Sequence, residues 1–112
     1  MQLDLTYWKN ELEGFKHFTP SGNVRQDVAA LITIKESGKK GSSLEGIDAF
    51  LSGTGDPNEV ILREYKNALH DIQLHTTKNP ERVGLREYWL GVAPEYVKAI
   101  ERLCVAYDIQ LK

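Results

Sequence analysis

Three side chains in the middle of the sequence have the types and the spacing that acid-base chemistry uses. Asp71 follows Glu64 by two helical turns, and His75 follows Asp71 by one, so all three would lie along one helix edge. A carboxylate one turn from an imidazole raises the pKa of the histidine and orients its ring, as a general acid or base requires. These residues also border an apolar face, where helices normally carry charged groups. A partner-facing or merely solvated edge therefore explains them without catalysis, and we favour that interpretation.

Aromatic residues occur in two adjacent pairs, Tyr7-Trp8 and Tyr88-Trp89. Adjacent side chains on a helix point about 100° apart, so at most one ring of each pair can be central to a core. Tyrosine and tryptophan also suit interfaces, because each ring carries a polar group at its tip. The predicted partner-binding residues are Glu64, Asp71, His75, Tyr88 and Trp89.

Glu11 is unexpected, because it falls within the apolar arc that Trp8, Phe15 and Phe18 form on the first predicted helix. A buried carboxylate without a partner costs several kcal/mol. We therefore expect an arginine or a tryptophan N–H to pair with it, unless this helix lies at the surface with its aromatic residues exposed. A paired carboxylate at the edge of the core is favoured over an acid catalyst, since structural ion pairs also perturb carboxylates.

Motifs for enzyme and metal chemistry are missing from the sequence. There is no G-x-S-x-G turn, no G-x-x-x-x-G-K-[ST] loop and no H-E-x-x-H helix. One cysteine and three scattered histidines do not match any of the usual zinc-ligand spacings, and Cys104, between Leu103 and Val105, is typical of a small buried hydrophobe. The sequence therefore predicts no catalytic, cofactor-binding or metal-binding residues, and a protein that is not an enzyme.

Composition and charge narrow the possible partners. The 112 residues are 41% hydrophobic and 27% charged, as in globular domains, and 14 basic against 16 acidic side chains give a net charge of −2. A protein that grips a nucleic-acid backbone needs an excess of cations. No apolar stretch approaches the roughly 20 residues of a membrane span, and no signal peptide is recognisable. We expect a cytoplasmic protein with no nucleic acid or membrane as partner.

Helical periodicity with local start and stop signals recurs along the chain. A first helix is predicted between a Thr6 cap and Pro20, and a second between Val24 and Gly38. The second contains Leu31-Ile32-Thr33-Ile34-Lys35, whose β-branched residues leave a strand as the alternative. The spacing of its apolar residues favours a helix.

Cap and proline signals mark the helices of the second half. The predicted third helix starts at the Ser42/Glu45 capping box, and the fourth starts at Asp56-Pro57-Asn58-Glu59 and ends near Thr77. The fifth starts at Asn79-Pro80-Glu81 and is bounded by Gly91 and Pro94. The sixth starts at Pro94 and reaches Leu111 if it runs that far. The predicted fold is all-α, a single compact domain over residues 1–112 with five to six helices joined by short loops.

The second half also carries a set of residues that suggests a family. They are Glu59-Val60-Ile61-Leu62, Leu69 and Ile72 on one helix, then Trp89-Leu90-Gly91-Val92-Ala93 leading into a helix with Ala99 and Tyr107. Over about half the chain, from Glu59 to Ile109, this pattern resembles the small helical immunity proteins that neutralise NAD(P)+-hydrolysing toxins delivered by type VI secretion.

The resemblance implies a small bacterial, cofactor-free inhibitor that binds a cognate toxin and blocks its active site. Such inhibition needs an interface of about 800 Å² per partner with a few aromatic or charged anchors. Acidic side chains would complement a cleft built for an anionic substrate and speed association. Two alternatives remain, an all-α nucleic-acid or phage-derived adaptor module and a small enzyme that uses Glu11 or the Asp71/His75 edge.

Overall fold

The computed structural model describes residues 6–37, 45–77 and 87–111, and these residues form an all-α fold. Its elements are a 3₁₀ turn (Thr6–Trp8), α1 (Lys9–Lys16), α2 (Val24–Ser37), α3 (Glu45–Leu51), α4 (Pro57–Thr77), a π-helical turn (Tyr88–Val92) and α5 (Ala93–Ala106). The predicted all-α class is confirmed. The predicted signals at Gly38, Ser42 and Asn79-Pro80-Glu81 lie outside the described residues.

The last helix, α5, is the centre of the core. It packs against α1, α2, α4 and the π turn. Its buried side chains recur every three or four residues, as expected for a helix that contacts neighbours over a broad face: Ala93, Tyr96, Val97, Ala99, Ile100, Leu103 and Cys104. Cys104 is 2% exposed, so the prediction of a buried, hydrophobe-like cysteine is confirmed.

The ambiguous segment of α2 is helical throughout, so the strand alternative is wrong. Val28 and Leu31 are fully buried, and Ile32 and Ile34 pack against the same core. Packing of these residues against the core thus outweighs the modest preference of the β-branched side chains for strands.

The first helix is shorter than predicted. The chain enters it through the 3₁₀ turn, and α1 starts at Lys9, where Trp8 occupies the cap position without a side-chain cap bond. Thr6 is therefore not the cap of α1. The helix ends at Lys16, and the Arg102 guanidinium of α5 donates a hydrogen bond to the Phe15 carbonyl oxygen in its last turn.

The loop between α1 and α2 is held by Asp27, which is 4% exposed. Its carboxylate accepts hydrogen bonds from the Ser21 backbone N–H at 2.8 Å, from the Ser21 hydroxyl at 2.7 Å and from the Tyr107 hydroxyl. The Tyr107 oxygen in turn accepts the Gly22 N–H at 2.8 Å. One carboxylate therefore joins this loop to α2 and to the end of α5.

The short helix α3 is tied to α2 by Arg25. The Arg25 guanidinium donates to the carbonyl oxygens of Phe50 at 2.8 Å, Thr54 at 3.2 Å and Gly55 at 2.9 Å. It also lies 4.8 Å from the centroid of the Phe50 ring. Gly53 takes the left-handed conformation, with φ of 116°, that closes the end of this helix.

The predicted start and end of α4 are confirmed at Pro57 and Thr77. The Asp56 carboxylate accepts the Asn58 N–H at 3.0 Å, as a cap residue should. At the other end of the described chain, α5 stops at Ala106 and the backbone turns at Asp108, with φ of 54°. The helix therefore does not reach Leu111.

Gly91 and Pro94 do not bound a separate helix as predicted. The chain runs from Glu87 through the π turn directly into α5, and the Ala93 N–H bonds to the Tyr88 carbonyl oxygen five residues earlier. Pro94 has no N–H to donate to Leu90, and its ring would crowd that carbonyl group. The wider π turn absorbs this conflict, so the proline sits in the first turn of α5 without breaking the helix.

Candidate functional site

The residues predicted to bind a partner meet around one cavity where α2, α4, the π turn and α5 come together. Its volume is about 250 Å³. The described residues that line it are Lys35, Glu64, Asn67, Ala68, Asp71, Tyr88, Trp89, Ala93 and Tyr96. Four of the five predicted residues are in this set, and the fifth, His75, stacks on Trp89.

Trp89 is the aromatic centre of this site. The His75 imidazole lies parallel to its ring, with centroids 4.7 Å apart and planes 5° apart, and the Tyr88 ring meets it edge-on at 5.0 Å. Tyr88 also contacts Trp8 at 5.7 Å, and both of these rings pack against the core. Trp89 remains partly exposed, and its buried indole N–H has no hydrogen-bond acceptor within the described residues.

Asp71 and His75 do not form the hydrogen-bonded pair that an acid-base role would use. The imidazole of His75 is engaged with Trp89. The Asp71 carboxylate lines the cavity and makes neither an ion pair nor a hydrogen bond in the parts of the chain that the structure describes. Asp71 therefore contributes to the cavity wall a negative charge that is not paired with any described residue.

Glu64, by contrast, is bound inside the protein. Its Oε1 atom accepts hydrogen bonds from the Lys35 ammonium group and, at 2.7 Å, from the Tyr96 hydroxyl. Lys35 also lies 3.5 Å from the Glu36 carboxylate and 5.7 Å from the centroid of the Tyr96 ring. These contacts join α2, α4 and α5, so Glu64 shapes the cavity from within.

Sequence reasoning missed Lys35, Asn67 and Tyr96 as site residues. Lys35 lies on α2 and Tyr96 on α5, and no local pattern in the sequence links either residue to α4. Asn67 had a usable signal, because it lies one turn from Asp71 and about one turn from Glu64 on the same helix.

Removing the Glu64 carboxylate should destabilise the fold. Glu64→Ala leaves the partly buried Lys35 ammonium and the Tyr96 hydroxyl without their acceptor, and we expect a loss of about 1–2 kcal/mol in the free energy of unfolding. Glu64→Gln keeps an acceptor oxygen and should lose less. Urea unfolding of both variants checks this, and an alanine variant as stable as the parent would show that the link contributes nothing.

Two tyrosines of the site resist ionisation. Burial, together with the negative charges of Glu11 and Glu36, raises the pKa of Tyr88 to about 12. Burial also raises the pKa of Tyr96 above its usual value, and the charge and hydrogen bond of Glu64 add to that shift. Both phenols are therefore held in the neutral form in the folded protein.

The raised pKa values of Tyr88 and Tyr96 predict that the protein loses stability in alkali. Unfolded tyrosines release their proton near pH 10, whereas the folded protein keeps both protons, so the unfolded state binds fewer protons and gains stability as pH rises. We expect the free energy of unfolding to fall by about 1.4 kcal/mol per pH unit for each tyrosine above about pH 10, and the Tyr88 contribution to end near its folded-state pKa of about 12. Urea unfolding across this range measures it, and Tyr88→Phe should make the slope shallower. An unchanged slope in that variant would contradict the assignment to Tyr88.

Glu11 is buried, 9% exposed, as its place in the apolar arc suggested. The expected partner for its Oε2 atom is not found, since no arginine or tryptophan N–H bonds to it within the described residues. Glu11 does not line the cavity, but its negative charge is one of the causes that raise the pKa of Tyr88.

A second, larger groove lies beside α4. Its volume is about 590 Å³, and its described lining is Leu62, Arg63, Tyr65, Lys66, Leu69 and Leu111. The groove is mainly apolar and contains none of the predicted site residues. It provides control positions on the same helix as Asp71.

Comparison with known proteins adds no relative. No family model, no curated protein and no solved structure matches the chain.

Within the described residues, no cluster of three or more histidine, cysteine, aspartate or glutamate side chains is arranged to hold a metal ion. None of the described helices combines the length and the apolar character that crossing a membrane requires.

Proposed function

We propose that this protein is a small inhibitor, an immunity protein, that neutralises a toxin by binding and blocking its active site. The contact surface is the face formed by α4 and the π turn. The resemblance of the segment from Glu59 to Ile109 to immunity proteins suggested this function, and cytoplasmic action against a bacterial toxin belongs to the same proposal.

One observation carries the proposal: residues selected as partner anchors converge on a single cavity. Trp89 and Tyr88 supply large, amphipathic rings of the kind that dominate binding energy at interfaces. Asp71 adds a negative charge that no cation of the described chain neutralises. Single-turn π-helical segments are frequently found at functional sites, and here that segment carries both rings.

The alternatives have less support. An enzyme built on Asp71 and His75 would need those two side chains to contact each other, and His75 instead stacks on Trp89. An enzyme built on Glu11 would need that carboxylate in a cavity, and Glu11 lines neither the cavity beside Trp89 nor the groove beside α4. A nucleic-acid adaptor has no supporting cation-rich face among the described residues of the site, where Lys35 is paired with Glu64.

Co-expression tests the proposal most directly. For an inhibitor of this kind, we expect the toxin to be encoded by the gene immediately upstream. The product of that gene is produced in cells with and without this protein, and complex formation is measured by co-purification and titration calorimetry. We expect this protein to bind that product stoichiometrically and to restore growth if the product is toxic. If this chain neither binds the product nor protects the cells, the inhibitor function should be abandoned.

A further inference from the structure

We propose that the cavity between α2, α4 and the π turn receives one arginine side chain of the partner protein. This inference rests on the proposed function, because it names the chemistry that the partner presents to the same site. The cavity volume, about 250 Å³, lies below the range usual for cofactors and drug-sized ligands. It suits a single long side chain.

The charges around the cavity favour a cation. Lys35 is the only positive side chain among its described lining residues, and it is bonded to Glu64 and lies 3.5 Å from Glu36. Asp71 adds a carboxylate that no described group neutralises. The two carboxylates that line the cavity, Glu64 and Asp71, therefore share one ammonium group, and a second cation would restore the balance.

The shape and chemistry of the walls favour arginine over lysine. Tyr88, Trp89 and Tyr96 provide aromatic rings, against which the flat guanidinium group packs better than a strongly hydrated ammonium group. The Lys35 ammonium group already lies 5.7 Å from the Tyr96 ring centroid, so the site accommodates a cation beside a ring. A guanidinium group can also donate to the Asp71 carboxylate and to the Asn67 side-chain oxygen at once.

The indole N–H of Trp89 provides a reporter for an occupant of the cavity. It is buried and has no acceptor within the described residues, and Trp89 forms part of the cavity wall. An occupant that packs against this ring changes the surroundings of the N–H, so its magnetic resonance signal should move.

Nuclear magnetic resonance with small probes tests the arginine assignment without the partner. Isotope-labelled protein is titrated with N-acetyl-arginine amide, and the indole N–H signal of Trp89, assigned with Trp89→Phe, is followed beside that of Trp8. We expect saturable movement of the Trp89 signal with a dissociation constant on the order of millimolar. N-acetyl-citrulline amide, which has a similar shape without the charge, should bind about tenfold more weakly.

Two variants locate the binding. Asp71→Asn should weaken binding of the arginine probe about tenfold, whereas Asp48→Asn, an exposed position on α3, should leave it unchanged. Equal binding of the citrulline and arginine probes, tighter binding of the lysine or glutamate analogue, or no saturable change would each overturn the arginine assignment.

The two proposals can fail separately. If this protein binds and neutralises the upstream gene product but the arginine probe does not bind, the arginine assignment falls and the inhibitor function stands. If the probe binds in an Asp71-dependent way but no protein partner is bound or neutralised, the cavity assignment stands and the inhibitor function falls.

Discussion

Replacing Asp27 with alanine is expected to lower the free energy of unfolding by about 3 kcal/mol, the largest single loss predicted for stability. The substitution removes the acceptor of the Ser21 N–H, the Ser21 hydroxyl and the Tyr107 hydroxyl at a position that is 4% exposed. Hydrogen bonds to a charged group are stronger than neutral ones, and donors left unpaired near the core cost additional free energy. Urea unfolding followed by circular dichroism measures the loss.

Matched variants separate the carboxylate from its individual donors. Tyr107→Phe removes the hydroxyl that donates to Asp27 and accepts the Gly22 N–H, and Ser21→Ala removes one hydroxyl donor. Each substitution should cost about 1 kcal/mol. The Asp27→Ala loss should therefore exceed that of either single-donor variant. A smaller loss for Asp27→Ala than for Tyr107→Phe would contradict the role of Asp27 as the common acceptor.

Truncating Trp89 is expected to have the largest effect on partner binding. If the proposed inhibitor function is correct, Trp89→Ala should raise the dissociation constant about 30-fold, equivalent to about 2 kcal/mol, mainly through faster dissociation. The Trp89 ring lines the cavity and is held in place by His75 and Tyr88. Because the ring is ordered before binding, little side-chain entropy is lost when a partner contacts it. Surface plasmon resonance with the upstream gene product measures both rates.

Stability must be measured beside binding, because the same substitution removes the stack on His75. We expect that loss to cost about 1 kcal/mol of folding free energy, well below the 3–5 kcal/mol of an aromatic residue removed from a core. Leu69→Ala, in the second groove, is the matched control and should leave binding unchanged. Equal weakening by the two variants would show that the contact surface is not centred on Trp89.

Local chemistry made parts of the fold predictable. The start of α4 depends on Asp56 and Pro57, which act within one turn, and both of its ends agree with the sequence-based prediction. The edge shared by Glu64, Asp71 and His75 follows from helical geometry alone. Two of these side chains line the cavity and the third stacks on a ring of its wall.

The rest depends on contacts between distant parts of the chain. Nothing near Glu64 indicates that Lys35 and Tyr96, 29 residues before it and 32 after it, will occupy its carboxylate. Its assignment as a partner contact stays a prediction, and its internal bonds favour a positioning role. The sequence predicts a helix boundary at Pro94 because proline lacks the N–H that a helix interior needs. In the structure the π turn accommodates this proline, and no local sequence pattern indicates that turn.

The π turn also lets the chain hold one more residue without changing how α5 faces the core. Its hydrogen bond, from the Ala93 N–H to the Tyr88 carbonyl oxygen, spans five residues instead of four, so it takes up one residue more than an α-helical turn for nearly the same rotation. Deleting one residue here would restore α-helical winding and leave the segments on either side in nearly the same phase. The turn therefore adds a position to the segment that carries Tyr88 and Trp89 while the register of α5 against the core is kept.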